Sequence, residues 1–92
     1  MRIRWTDAAV HDLTSVCDYL DAHAGIPIAI RVARTIYESI GSLAQSPSRG
    51  RLGRKERTRE LVVSNLPYVV IYRVGTDAVE VLRILHGAQN WP

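Results

Sequence analysis

The amino-acid sequence predicts an α+β domain: an antiparallel helical hairpin packed on a mostly antiparallel four-stranded sheet, in the order β-α-α-β-β-β. Apolar residues recur at three- and four-residue spacing through the first half of the chain, which is typical of amphipathic helices. The second half contains three short runs rich in Val, Leu, Ile and Tyr, separated by turn residues, which is typical of strands. With 92 residues and a 47% hydrophobic composition, residues 1–92 are expected to form one small domain with a modest core.

The first half of the chain predicts a short strand over the first five residues, followed by two helices. Thr6 is a suitable N-cap for the first helix, and Gly25 is a suitable stop. Pro27 fits the first turn of the second helix, which should end near Pro47. Because the connection is so short, the two helices must be antiparallel. The predicted apolar stripes are Ala9, Leu13, Val16, Leu20 and Ala24 on the first helix, and Val32, Ile36, Ile40 and Leu43 on the second.

The second half predicts a three-stranded meander with apolar residues on both faces of the sheet. Asn65 and Pro67 separate the first two strands, and a turn at 75–77 leads into the last strand, 78–85. One helical hairpin covers one face only, so the other face is expected to meet a partner chain. There are two alternatives: homodimerisation could cover this face, or residues 86–92 could fold back over it with Trp91 filling the centre. By alternation, Tyr68, Val70, Tyr72 and Val74 of the middle strand oppose Val69 and Ile71, while Val79, Val81 and Leu85 of the last strand oppose Leu82 and Ile84.

Composition and motif content disfavour several classes of protein and site. No run approaches the length of a membrane span, no signal-peptide segment is recognisable, and Cys17 is the single cysteine, so no internal disulfide is expected. These features predict a cytoplasmic protein without membrane contact. His11, His23 and His86 lack metal-ligand spacing, and no nucleotide-binding glycine motif occurs, so neither a metal nor a cofactor is expected.

Positive charge is concentrated between Arg49 and Glu60. This segment holds six basic and two acidic residues, a local net charge of +4, whereas the whole chain carries +3. Such a segment suits phosphate groups or an acidic protein surface, although a solvated loop has the same composition. It contains no aromatic residue, which argues against stacking on single-stranded nucleic acid.

One group of strand residues could support chemistry. Arginine can stabilise charge at a scissile phosphate, and histidine can transfer a proton near neutral pH, so such a group could cleave RNA through its own 2′-hydroxyl without a metal. The alternative is structural, because a strand arginine often pairs with a carboxylate such as Glu60 or Glu80. The group comprises Arg59, Arg73, Arg83 and His86, with Tyr68 and Tyr72 among them.

Five stretches of the chain carry a family resemblance. They are residues 3–13 (IRWTDAAVHDL), 46–51 (SPSRGR), 58–63 (TRELVV), 67–74 (PYVVIYRV) and 81–92 (VLRILHGAQNWP). Through them the chain resembles the RelE/ParE superfamily of bacterial toxins from type II toxin–antitoxin modules. The resemblance implies a hetero-oligomer with a cognate antitoxin, typically a DNA-binding protein of the ribbon-helix-helix or a similar class, whose C-terminal tail wraps the helices and sheet of the toxin.

The ParE branch is the nearer likeness, through Arg-Glu-Leu at 59–61 and Leu-His-Gly at 85–87. It implies growth inhibition by binding to DNA gyrase and stabilising its cleaved DNA complex, with a ParD-like antitoxin as the neutralising partner. It requires no catalytic residue. A role in plasmid or chromosome maintenance would follow.

The RelE branch is the alternative, and it implies a ribosome-dependent endoribonuclease that cuts messenger RNA. Val69 stands where those nucleases tend to have an arginine, Val62 stands where RelE has a lysine, and no tyrosine follows the last strand. If the chain is such a nuclease, His86 and Arg83 are the candidates for proton transfer and phosphate contact. A further alternative is a non-toxic member that only binds an antitoxin.

Two sets of surface contacts are predicted with the resemblance in view. The candidates for contact with the target are Arg59, Arg73, Arg83, His86 and Trp91. The candidates for contact with the antitoxin are Leu13, Val16, Leu20, Val32, Ile36, Tyr68, Val70 and Tyr72.

Overall fold

The computed structural model describes residues 1–87 of the chain. A strand and two helices come first, and the remaining strands follow. In chain order the elements are β1 (Arg2–Trp5), α1 (Asp7–Ala24), α2 (Ile26–Gly41), a single 3-10 turn (Ser42–Ala44), β2 (Arg51–Leu52), β3 (Arg59–Val62), β4 (Tyr68–Val74) and β5 (Ala78–His86). The predicted α+β class and the predicted order of helices and strands are confirmed.

The strands form one sheet of five strands rather than the predicted four, in the spatial order β1-β5-β4-β3-β2. β1 is parallel to β5, and the other neighbouring pairs are antiparallel. The additional strand is β2, whose Arg51 and Leu52 pair with Glu60 and Arg59. Two residues are too few to produce an alternating pattern, so the sequence alone indicates a loop here.

The ends of the helices follow the predicted capping residues. Thr6 Oγ1 accepts a hydrogen bond from the Ala9 N–H at 3.1 Å and donates one to the Leu82 carbonyl at 2.9 Å. The same hydroxyl therefore caps α1 and attaches it to β5. Gly25 has a φ of 95°, a value that glycine adopts without strain, and its N–H donates to the Leu20 carbonyl at the end of α1.

The core lies between the helical hairpin and one face of the sheet. Burial of its apolar side chains, worth about 25 cal/mol per Å² removed from water, is the main favourable contribution to folding. Both predicted helical stripes face this core, apart from Ala24, which is exposed. The buried core consists of Ala9, Val32, Ile36, Ile40, Leu43, Leu61, Val63, Tyr68, Val70, Tyr72, Val79, Val81 and Ile84, with Leu13, Val16 and Leu20 packed against it.

The pairing of β4 with β5 contains an irregularity that changes the face on which the end of β5 lies. The register shifts between Ile71 and Tyr72, so that Leu82 of β5 is an extra residue, a β-bulge. Beyond it, Ile84 joins the core under the helices, and Leu85 lies on the opposite face. The predicted faces of Ile84 and Leu85 are therefore wrong, because strict alternation does not allow for an extra residue.

The sheet face opposite the helices is less exposed than the sequence predicts. Ile71 is 2% exposed and Leu85 is 5% exposed. The side chains of Arg51 and Arg54 line the same small depression as these two residues, so the arginine stems contribute to their cover. Val62 remains exposed on this face. The expectation of a bare apolar sheet face is therefore wrong, and much of the exposed apolar surface lies on the helices instead.

Candidate functional site

A cleft of about 660 Å³ opens between α1 and the second half of β5. It forms because β1 pairs only with residues 78–81 of β5, so the edge of β5 beyond that point lies against α1 instead of a strand. The cleft brings together three residues of the predicted strand group, Tyr68, Arg83 and His86. The residues that line it are His11, Asp12, Ser15, Val16, Tyr19, Leu20, Pro67, Tyr68, Arg83, Ile84 and His86.

Asp12 attaches α1 to the open edge of β5. Its Oδ2 accepts hydrogen bonds from Arg83 Nε at 2.7 Å and from the Ile84 N–H at 2.9 Å, and its Oδ1 accepts one from Arg83 Nη2 at 2.9 Å. The carboxylate thus replaces a strand partner for the Ile84 N–H and holds the guanidinium in a two-point ion pair. The hydrogen bonds from Asp12, opposed by partial burial, raise the pKa of Arg83 above its ordinary value.

Tyr68 and His86 form another part of the cleft wall. The two rings meet edge to face, with centroids 5.9 Å apart and planes at 84°. Burial raises the pKa of Tyr68, and the nearby Tyr19 and Cys17 add to the effect. The Tyr68 phenol is therefore protonated at neutral pH, where it can donate a hydrogen bond but cannot act as a base.

The basic segment folds into a hairpin built on β2 and β3, and we call residues 49–60 the basic hairpin. Arg51 Nη2 donates to the Glu60 carboxylate at 3.0 Å, and Arg59 Nη1 donates to the Gly50 carbonyl at 2.8 Å. The hairpin therefore carries its charges on a framework that its own hydrogen bonds hold in place.

Glu60 is the buried carboxylate at the base of the basic hairpin. Its burial alone would raise its pKa, but three effects together outweigh the burial: the hydrogen bond from the Arg51 side chain, the one from the Arg54 N–H, and the positive charges of both arginines. The pKa of Glu60 is consequently below its ordinary value. The carboxylate of Glu60 is negatively charged at neutral pH, and it offsets the positive charge of Arg51.

The described target contacts do not share a single site, although Arg73 and Arg83 together line a depression of about 320 Å³. Arg83 and His86 line the cleft. Arg59 and Arg73 line an open depression of about 670 Å³ at the tip of the basic hairpin. Arg73 Nη2 also lies 3.7 Å from a carboxylate oxygen of Glu80, so the structural role considered for the strand arginines holds for Arg73 as well as for Arg83.

Most of the residues predicted to contact an antitoxin lie inside the chain. Tyr68 borders the cleft and can be reached from it, whereas a partner reaches the others only by opening the core. Of the rest, Leu13, Val16 and Leu20 are half-buried along α1, and the last two line the cleft. The buried residues are Val32, Ile36, Tyr68, Val70 and Tyr72, each at most 9% exposed.

The helices carry exposed apolar residues that the predicted set omitted. Ile26, Ile30 and Tyr37 form a second stripe on α2, and each is more than half exposed. The ring of Tyr37 stacks on Trp5 with centroids 6.1 Å apart, and together with Val10 they line a groove of about 350 Å³. We call the surface formed by this stripe together with Trp5 and Val10 the helical groove. Its signal was present in the sequence, because positions 26, 30 and 37 share one helical face outside the core stripe.

Residues 1–87 hold neither a metal-binding cluster nor a membrane-spanning helix. Within this range, no three His, Cys, Asp or Glu side chains are placed to hold a metal ion. None of the described helices combines the length and apolar character needed to cross a membrane. Trp91, the remaining predicted target contact, lies outside the described residues.

Comparison with known families identifies the chain. The profile of the family described as "ParE toxin of type II toxin-antitoxin system, parDE" matches residues 3–91. The chain belongs to the ParE toxin family. This match confirms the superfamily predicted from the sequence motifs. The family consists of toxins of type II toxin–antitoxin systems.

Relatives of this ParE-family chain carry the names of both branches. It is 40% identical over 91 residues to the protein Y4kP of Sinorhizobium fredii, and the alignment covers 99% of this chain and 93% of Y4kP. It is 39% identical over 88 residues to "Toxin RelE2" of Caulobacter vibrioides, with 96% and 97% of the two chains covered. "Toxin ParE1" of the same organism is 30% identical over 87 residues, with 95% and 90% covered.

A solved structure supports the fold of the ParE-family chain. A chain from the structure titled "Chromosomal ParDE TA system from P. aeruginosa" superposes with a TM-score of 0.89 at 26% sequence identity. The match covers 94% of this chain and 95% of the other. The helical hairpin and the sheet are therefore shared along nearly the whole length of both chains.

Proposed function

We propose that this ParE-family chain is a cytoplasmic toxin that inhibits DNA gyrase by binding and without catalysis, and that a ParD-like antitoxin neutralises it. Family membership supports the toxin role, since the matching family is described as the ParE toxin of parDE systems. Inhibition by binding requires a surface that complements the target but no acid–base pair.

The ion pair between Arg83 and Asp12 is the observation that carries the non-catalytic proposal. An arginine that stabilises a scissile phosphate must direct its guanidinium at that phosphate. Arg83 instead donates from Nε and Nη2 to a carboxylate of its own chain. Val62 and Val69, which pair across β3 and β4, place apolar side chains where the RelE branch has cationic ones.

The helical groove is the surface that we assign to the antitoxin. The exposed stripe of Ile26, Ile30 and Tyr37, extended by Trp5 and Val10, offers apolar area to a partner segment. The similar solved chain comes, by its title, from a ParDE toxin–antitoxin system, which supports a hetero-oligomeric partner here.

A supercoiling assay tests the gyrase proposal. Purified chain added to gyrase and relaxed plasmid should suppress supercoiling and leave cleaved plasmid after detergent treatment, and addition of the antitoxin should restore supercoiling. Undiminished supercoiling at a large excess of the chain would refute the proposal. If expression without antitoxin also leaves growth unaffected, the result would favour a member that only binds its antitoxin.

Messenger-RNA cleavage is the second candidate, and the cleft favours it. Arg83 and His86 line one cleft with His11, and "Toxin RelE2" is among the similar proteins. Primer extension on translated messages after induction should then reveal new 5′ ends. His86→Ala should abolish them, whereas His23→Ala should not, because His23 stacks on Tyr19 and does not line the cleft.

A further inference from the structure

The basic hairpin is a strongly charged surface to which the proposed function has so far assigned no ligand. We propose that it binds the phosphodiester backbone of duplex DNA through Arg54 and Arg57 at its tip. The inference deepens the proposed function, since gyrase holds duplex DNA, and rests on that function for its biological setting. The binding itself is a property of this chain and can be measured without gyrase.

The charges of Arg54 and Arg57 are available to a ligand. Within residues 1–87, neither guanidinium has a carboxylate oxygen within the 4.0 Å that defines an ion pair. Arg51 differs, because it is paired with Glu60 at 3.0 Å. Arg59 donates from Nη1 to the carbonyl of Gly50, a neutral acceptor that does not cancel its charge. The Glu60 carboxylate also interacts with the charge of Arg54, but the basic hairpin as a whole keeps a net charge of +4.

The tip of the basic hairpin has a defined shape before any ligand arrives. Gly53 N–H donates to the Thr58 carbonyl at 2.8 Å, and Thr58 N–H donates to the Lys55 carbonyl at 3.1 Å. Arg54 N–H donates to Glu60 Oε2 at 3.3 Å, and Arg57 adopts a left-handed φ of 62° that closes the turn. Because the backbone is already ordered, a ligand has to immobilise only the arginine side chains.

The surface beside the tip has the chemistry of a phosphate contact. Arg54 and Arg57 line the open depression of about 670 Å³ together with Arg59 and Arg73, and among the described lining residues Glu56 alone is acidic. Guanidinium groups bind phosphate oxygens through paired N–H donors. None of the described residues that line the depression is aromatic, so they offer bases nothing to stack on. This combination suits the regular phosphate backbone of a duplex better than a single strand.

A binding assay with a matched control tests the proposal. Fluorescence anisotropy of a labelled duplex of about 20 base pairs is measured with the chain of residues 1–92 at several salt concentrations. The test variant is Arg54→Ala/Arg57→Ala. The control is Arg31→Ala/Arg34→Ala, which removes two exposed arginines from α2 and changes the net charge equally. Equal urea-unfolding midpoints for both variants and the wild type would show that folding is intact.

The expected result is local to the hairpin. Loss of two phosphate contacts should flatten the slope of log K against log salt by about 1.8, and should weaken binding roughly tenfold or more near 100 mM salt. The control should change affinity by no more than about twofold. An equal loss of DNA affinity in both variants would show that only the net charge of the chain matters, and would overturn the proposal. Salt-independent binding by the wild type would also overturn it.

Competitors separate DNA from other polyanions, and gyrase assays separate the two proposals. Polyglutamate that displaced the duplex as well as unlabelled DNA would assign the hairpin to acidic protein surfaces. Tighter binding of an RNA duplex would assign it to RNA. Intact supercoiling alongside hairpin-dependent DNA binding would refute gyrase inhibition alone, whereas gyrase inhibition without hairpin-dependent DNA binding would refute this proposal alone.

Discussion

Asp12 and Arg83, 71 residues apart in sequence, form a two-point ion pair that joins α1 to the edge of β5. The Asp12 side chain is 11% exposed and that of Arg83 is 36% exposed, so the pair is only partly screened by water. The same carboxylate accepts the Ile84 N–H, which has no strand partner on that side. The ion pair therefore joins two distant elements of the fold and engages two of the N–H donors of Arg83.

Replacing Asp12 with Ala is expected to lower the free energy of unfolding by about 2 kcal/mol, since it leaves Arg83 unpaired and the Ile84 N–H without an acceptor. Asp12→Asn should cost less, because an amide oxygen can still accept from Ile84. Urea denaturation measures both values. Asp18→Ala, which removes an exposed carboxylate from the same helix, is the control. A loss no greater than that of the control would contradict the structural role of Asp12.

Removing the charge of Glu60 should change how stability depends on pH. Its folded-state pKa is lowered below the ordinary value of 4.5, so its contribution is present above that value and is lost as the pH falls through the folded-state pKa. Glu60→Gln should therefore be less stable than the wild type near about pH 6, and the difference should shrink toward about pH 3. Urea unfolding across this range gives the comparison. A difference independent of pH would show that the charge does not matter.

The buried Tyr72 side chain forms hydrogen bonds at the N-terminal end of the basic hairpin. Its hydroxyl donates to the Pro47 carbonyl at 2.7 Å and accepts the Gly50 N–H at 2.8 Å. Tyr72→Phe should lower the free energy of unfolding by about 1–3 kcal/mol, because the buried Gly50 N–H loses its partner. Tyr37→Phe, at an exposed position, is the matched control. Hydrogen exchange of the Gly50 amide should accelerate in Tyr72→Phe alone, and an unchanged exchange rate would refute the assignment.

A substitution at Gly50 tests the same contact with Tyr72 in a second way. A Cβ at this position would lie 2.7 Å from the Tyr72 hydroxyl oxygen and 2.9 Å from the Glu60 carbonyl oxygen, closer than real contacts allow. Gly50→Ala should therefore destabilise the fold by about 1–3 kcal/mol through strain. Gly41→Ala has open space at its Cβ and serves as the control in the same thermal-denaturation series.

The fold was predictable where the sequence pattern repeats over many residues. The stripes from Ala9 to Leu20 and from Val32 to Ile40 extend over several helical turns, and the capping by Thr6 is a local effect of one hydroxyl. The two-residue β2 and the bulge at Leu82 escaped prediction, because each depends on a tertiary pairing that leaves no periodic signal.

The candidate site was only partly predictable for a related physical reason. Arg83 and His86 do share a cleft, but the pairing of Arg83 with Asp12 joins elements far apart in sequence and has no local signature. The buried antitoxin candidates belong to the most regular apolar patterns of the helices and strands, and such residues form the chain's own core. Residues outside the stripe, such as Tyr37, stay exposed on the helix surface.

Tyr37 is expected to anchor the antitoxin in the helical groove. It is 63% exposed and stacks on Trp5, so truncation removes surface from the groove without opening the core. Tyr37→Ala should raise the Kd for the antitoxin about tenfold or more, as truncation of an aromatic anchor does, with little change in the free energy of unfolding. Titration calorimetry measures the Kd. Glu38→Ala, at the adjacent exposed position, should leave it nearly unchanged, and equal losses in the two variants would place the antitoxin contact elsewhere.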